Sequence, residues 1–211
     1  MKIDLAGLIG RGAAIITVEC QQGVIGPRGP LPALLEAVQA SRLLDGGSRL
    51  LRAARRAGLP VLHGTVVRRA DGGGVVENCR LFTVTAKSDA PPLLEGSEAQ
   101  KVVEEFGPEP SDWEIARYHG VSLFHDTELD AVLRSLGVET VILIGVSLNI
   151  AVLGTAIEAV NRGYRVVVPR DAVVGTPPEY AEAVLRNSLA LLATLSTCED
   201  LIEALDAAGD R

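Results

Sequence analysis

The chain has 211 residues, 47% of them hydrophobic and 22% charged, which is the composition of one globular domain spanning 1–211 and excludes a disordered chain. Aromatic residues make up only 3% and the net charge is −7. Few base-stacking surfaces and an acidic balance argue against a nucleic-acid or anionic-membrane binder.

In chain order, Met1 is followed by Lys2 and Asp4, and the apolar stretch to Gly10 is too short and broken for a secretory signal. Ala13 to Val18 is a short, β-branched apolar run, the pattern of a buried parallel strand. Gly23 to Pro32 is rich in glycine and proline and reads as a loop. Pro32 to Ala57 is helical in character, in two pieces, and Val61 to Val67 is a second strand. Arg68 to Leu94 is the least regular stretch, with Asp71-Gly72-Gly73-Gly74 and Pro91-Pro92; irregular segments of that length serve function or assembly. Ser97 to Phe106 is expected to be a short helix capped by Ser97, and Glu114 to Arg117 a weak strand. Thr127 to Leu136 is an amphipathic helix stopped by Gly137. Thr140 to Val146 is a central strand, Asn149 to Asn161 a helix, and Arg165 to Val168 a strand. Pro177 to Leu192 is a long helix, Ala193 to Ser196 a last strand, and Glu199 to Ala207 a last helix. Strands alternating with helices predict a doubly wound, mainly parallel sheet between two helical layers.

Ligands of such sheets sit beyond the carboxyl ends of the strands. Glu19, Arg117 to His119, Ser147 to Ala151 and Asp171 all fall at such ends. Glu19 is either partly desolvated in a pocket, where burial makes it a usable proton carrier near neutral pH, or a cap or ion-pair partner. Ser147 and Asn149 stand at a helix start, where free backbone N–H groups favour an anion, and either side chain also suits a cap. His119 lies in a loop at the same rim. His63, His119 and His125 lie on different elements without metal-ligand spacing, and the three cysteines, Cys20, Cys79 and Cys198, are too scattered for a CxxC site or a disulfide scaffold. No window has the roughly 18 to 20 unbroken apolar residues of a membrane span. A soluble protein of the reducing cytoplasm is expected.

Val18-Glu19-Cys20-Gln21, Leu123-Phe124-His125-Asp126-Thr127-Glu128-Leu129, Gly145-Val146-Ser147-Leu148-Asn149-Ile150-Ala151 and Asp171-Ala172 form an ordered string along the whole chain. It resembles the isochorismatase-like, or cysteine hydrolase, family. The resemblance implies a three-layer α/β/α fold, a homodimer or homotetramer, and a cis peptide between Val146 and Ser147. It implies no cofactor, and the family's nicotinamidase-type metal site has no match around His63. The family's catalytic set is Asp, Lys and Cys. On the resemblance, the Asp place is taken by Glu19, the Lys place by Tyr118 with Arg117 and His119 beside it, and the Cys place by Ala151. Alanine cannot attack a carbonyl, so a thioester route through this position is excluded. Two main readings follow. One is a thiol-independent hydrolase of a small carboxylated or amide-like metabolite, in which Glu19 is general acid or base, Arg117 anchors a carboxylate, and Tyr118 and His119 orient water or substrate. The other is a catalytically silent member that binds a ligand or partner. A structural subunit beside an active relative is a third. A buried Glu19 facing a cavity separates the first from a Glu19 locked in a bidentate ion pair.

Overall fold

The computed structural model describes residues 4–209. The strands are β1 (Ala13–Val18), β2 (Val61–Val66), β3 (Trp113–Arg117), β4 (Thr140–Val146), β5 (Arg165–Pro169), β6 (Val173–Val174) and β7 (Thr194–Ser196). All pairings are parallel, in the order β3-β2-β1-β4-β5-β7, with β6 against the end of β4. β1, β2 and β4 are buried at every position, as continuous apolar runs in a doubly covered sheet must be.

The helices are α1 (Leu5–Ile9), α2 (Pro32–Ala40), α3 (Leu43–Arg56), α4 (Arg80–Ala86), α5 (Leu129–Ser135), α6 (Leu153–Asn161), α7 (Pro178–Val184), α8 (Ala190–Leu192) and α9 (Cys198–Gly209). Alternation along the strands splits the core into two layers. Ala14, Ile16, Val18, Val141 and Leu143 pack with residues of α5, α6 and α7. Ala13, Ile15, Ile142, Ile144 and Val146 pack with α1, α2, α3 and α9. This is the expected three-layer α/β/α sandwich.

Several details differ from expectation, among them α1 and β6, which were not anticipated. Ser97 to Phe106 is not a helix: only Glu104–Phe106 forms a 3₁₀ turn. Its backbone is drawn instead onto the segment after β1, where Gln22 N and Gly23 N donate to the carbonyls of Lys101 and Ala99, and Val103 N to that of Cys20. The helix after β4 opens with a π-helical stretch, Leu148–Val152, before α6. The long helix after Pro177 is interrupted by another, Leu185–Leu189, between α7 and α8. The segment between Arg68 and Leu94 holds α4, whose residues are all at least partly exposed. The peptide between Val146 and Ser147 is cis.

In the order 3-2-1-4-5 the chain leaves β1 towards one side of the sheet and β4 towards the other. The crevice at their carboxyl ends is the place a doubly wound sheet offers a ligand.

Candidate active site

Glu19 follows the last residue of β1. Its amide donates to the Gly64 carbonyl at 2.9 Å, and its φ is +54°, a left-handed conformation unusual outside glycine. Such conformations persist where surrounding structure enforces them, as at functional sites. Here the turn swings the carboxylate out of strand alternation and towards β3. Arg117, the last residue of β3, donates to the Glu19 carboxylate through Nη2. The Arg117 side chain is 3% exposed and that of Glu19 17%.

The pair is not bidentate. Nε and Nη1 of Arg117 are buried without a hydrogen-bond partner. Burial raises the Glu19 carboxyl above its ordinary value, and the charges of Arg117 and Arg68 oppose that rise without cancelling it. A cavity of about 110 Å³ opens here, lined by Glu19, Arg117, Arg68, Ser147, Ile150 and Ala151, with Leu81 and Phe82 of α4 across from them. Ala151 is 2% exposed and stands in the first turn of the helix leaving β4.

The thiols lie elsewhere. Cys20 and Cys198 are buried and Cys79 is exposed at the start of α4. None of the three lines this cavity. Burial pushes the Cys20 thiol well up, helped by the nearby Glu19 charge. Burial and then the Asp171 charge push Cys198 up to about 12. Thiols held protonated in this way are poor nucleophiles.

Four expected site residues, Glu19, Arg117, Ser147 and Ala151, therefore meet at one cavity. Three do not. Tyr118 is not in the lining: its carbonyl accepts from Arg68 Nη1 at 3.2 Å, and burial, then the charge of Glu95, hold its hydroxyl proton more tightly. The physical reason is strand alternation, which puts adjacent residues on opposite faces. The cation facing the Glu19 carboxylate is Arg117. His119 is exposed, with its ring packed over Gly74. Asn149 lies behind the wall against Gly175, its Oδ1 buried and without a partner. Asp171 accepts from the Cys198 amide at 2.9 Å and so caps α9. His63 is a core histidine, bonded to Thr17 Oγ1 and Asp112 Oδ2 at 2.9 and 3.1 Å.

Two contributors were given no role from the sequence, although Gln21 belongs to the motif that begins at Val18. Arg68 lies just past the carboxyl end of β2, where the strand-end rule reaches it. Gln21 is fully buried, and only the fold reveals its work. Its Nε2 donates to the carbonyls of Val66 and Gln100, and its Oε1 accepts from Val66 N at 2.7 Å. It thereby ties the end of β1 to the end of β2. Among the described residues, no three of His, Cys, Asp and Glu stand close enough to hold a metal ion.

Comparison with known proteins gives a consistent picture. The profile of the isochorismatase domain matches residues 13–200. Maleamate amidohydrolase of Pseudomonas putida is 26% identical over 202 residues, covering 93% of this chain and 88% of that protein. Ureidoacrylate amidohydrolase RutB of Caulobacter segnis is 27% identical over 201 residues, covering 89% and 83%. Among solved structures, a cysteine hydrolase from Pseudomonas syringae superposes with a TM-score of 0.81 at 23% identity, covering 99% of this chain and 96% of that one.

Proposed function

Since the chain belongs to the isochorismatase domain family, we propose that it is a hydrolase of small amide-like substrates that works without a thiol, with Glu19 as its general acid and base. The observation that carries this is a partly desolvated carboxyl at a cavity, held to Arg117 through a single nitrogen, with Ala151 where the family resemblance places a nucleophile.

The chemistry needs no covalent intermediate. The Glu19 carboxylate takes a proton from water as its oxygen adds to the amide carbon. The oxyanion so formed is stabilised by the buried positive charge of Arg117, whose Nε and Nη1 have donors to spare. Glu19 then gives the proton to the departing nitrogen, the C–N bond breaks, and a carboxylic acid and an amine or ammonia result. A carboxyl with a raised pKa suits both halves of this cycle near neutral pH. Leu81, Phe82 and Ile150 give the site an apolar wall. Two relatives named as amidohydrolases, one for maleamate and one for ureidoacrylate, support the amide class.

A second reading rests on Ala151 together with the Glu19–Arg117 pair: a silent family member that keeps the pocket for binding. Hydrolysis assays on maleamate, ureidoacrylate and a panel of small amides and ureas separate the two. Turnover of one or more by the wild-type protein is expected. No turnover of any, with hydrolysis appearing in Ala151→Cys, favours the silent reading.

A further inference from the structure

We propose that Arg68 is the specificity residue of this site, selecting substrates that carry a carboxylate and holding that group at the mouth of the inner cavity. The inference deepens the hydrolase reading and rests on it for the word substrate, but the anchor itself is a statement about binding.

The first observation is position. The cavity of about 110 Å³ around Glu19 adjoins an outer groove of about 560 Å³, and Pro30, Arg68, Phe82, Thr85 and Leu93 line both. Arg68 is the charged residue of that shared wall. Its backbone is fixed there: Arg68 N donates to the Leu93 carbonyl at 2.7 Å, and the Arg68 carbonyl accepts from Glu95 N at 3.2 Å.

The second observation is what the guanidinium lacks. Its hydrogen bonds both leave from Nη1, to the carbonyls of Val67 and Tyr118 at 3.3 and 3.2 Å. Among the described residues no carboxylate pairs with it. Its neighbour Arg69 is different, since Nε and Nη2 of Arg69 both bond to Asp71, which leaves that cation already matched. Arg68 therefore keeps Nε and Nη2, the edge that binds a carboxylate bidentately.

The third observation is the charge of the lining. Arg68 and Arg117 face one carboxylate, Glu19, so the inner site carries an excess positive charge in a chain whose net charge is −7. One further anion balances it. Arg117 lines only the inner cavity and already bonds Glu19 there, whereas Arg68 lines both spaces, so the anion is assigned to Arg68, at their junction. A ligand held there by its carboxylate directs a group a few atoms away into the inner cavity, beside Glu19 and Ala151.

Calorimetric binding of three matched pairs tests this: maleamate and maleamide, succinamate and succinamide, benzoate and benzamide. They are titrated into wild type, Arg68→Met and Arg68→Lys, with the circular dichroism of each variant recorded. Wild type is expected to prefer the anion of at least one pair. Arg68→Met should weaken that anion by roughly tenfold or more while leaving the neutral amide unchanged, and Arg68→Lys should recover part of the loss. The proposal is overturned if wild type prefers no anion, or if a folded Arg68→Met binds the anion as wild type does. If Arg68→Met is unfolded, the lysine variant decides: a folded Arg68→Lys whose preference for the anion is weaker than that of wild type supports the anchor, and one with the wild-type preference contradicts it. Arg68-dependent binding without turnover leaves the anchor standing and removes the hydrolase reading alone.

Discussion

Glu19 sits at the balance of two opposed effects. Burial disfavours its charge, and Arg117 and Arg68 favour it. As a general base it must be ionised, so the rate falls as pH drops through its raised pKa. The acid limb of kcat/KM is therefore expected above the ordinary glutamate value of 4.5, and Arg117→Met, which removes the strongest opposing charge, should move that limb further towards neutral. A limb at or below 4.5, or one unmoved by Arg117→Met, counts against Glu19 as the base. Glu19 and Ala151 were legible because strand ends collect function in this architecture. The choice between Arg117 and Tyr118 was not, because one step along a strand reverses the face and a single loop residue decides the register. Arg68 was within reach of the same rule, but nothing in its local sequence distinguishes it from Arg69; only the Asp71 partner of the latter does.

Strand runs such as Thr140 to Val146 announce themselves, since only doubly covered strands are apolar throughout. The segment from Ser97 to Phe106 did not, because its backbone partners lie some 80 residues earlier in the chain, at Cys20 to Gly23. Gln21 joins the two. Gln21→Leu preserves bulk but leaves the Val66 amide and two carbonyls unpaired. A loss of about 2–4 kcal/mol in urea unfolding is expected, together with loss of the cavity's ligand binding; a change under about 0.5 kcal/mol would mean that the tie is dispensable. Close approach of β1 and β4 has its own requirement. Gly145 has φ of +119°, and a Cβ there would lie 2.3 Å from the Val18 carbonyl oxygen. Gly145→Ala should cost about 3 kcal/mol or more and displace the strand end that carries Glu19. Thermal unfolding with the melting point of wild type would contradict that packing.

Thr17, His63, Asp112 and Arg55 form a buried polar network. Burial holds His63 below 6.5, against the hydrogen bond and charge of Asp112. Asp112 is pushed up by burial, but hydrogen bonds from Arg55, the Glu109 amide and His63 more than offset this and hold it below 3.8. Both shifts have the same sign for stability. The unfolded chain protonates first in each case, so the contribution is full above 6.5 and is lost as pH falls through it, with a further loss below 3.8. The melting temperature is expected to fall from pH 7 to pH 5, less so in His63→Gln, and a flat profile in wild type would contradict the assignment. None of these four residues lines the cavity. Composition and periodicity made the α/β/α sandwich readable, whereas the cavity within it depends on contacts between remote segments.

The claim at the centre of this account is that a carboxyl, not a thiol, performs the hydrolysis. It is tested most directly by kcat/KM on the best amide found, measured for wild type before and after alkylation with iodoacetamide and for Glu19→Gln. The account predicts that alkylation leaves the rate within a factor of about two and that Glu19→Gln lowers it by about a hundredfold or more. Activity that disappears on alkylation, or that persists in Glu19→Gln, would contradict it.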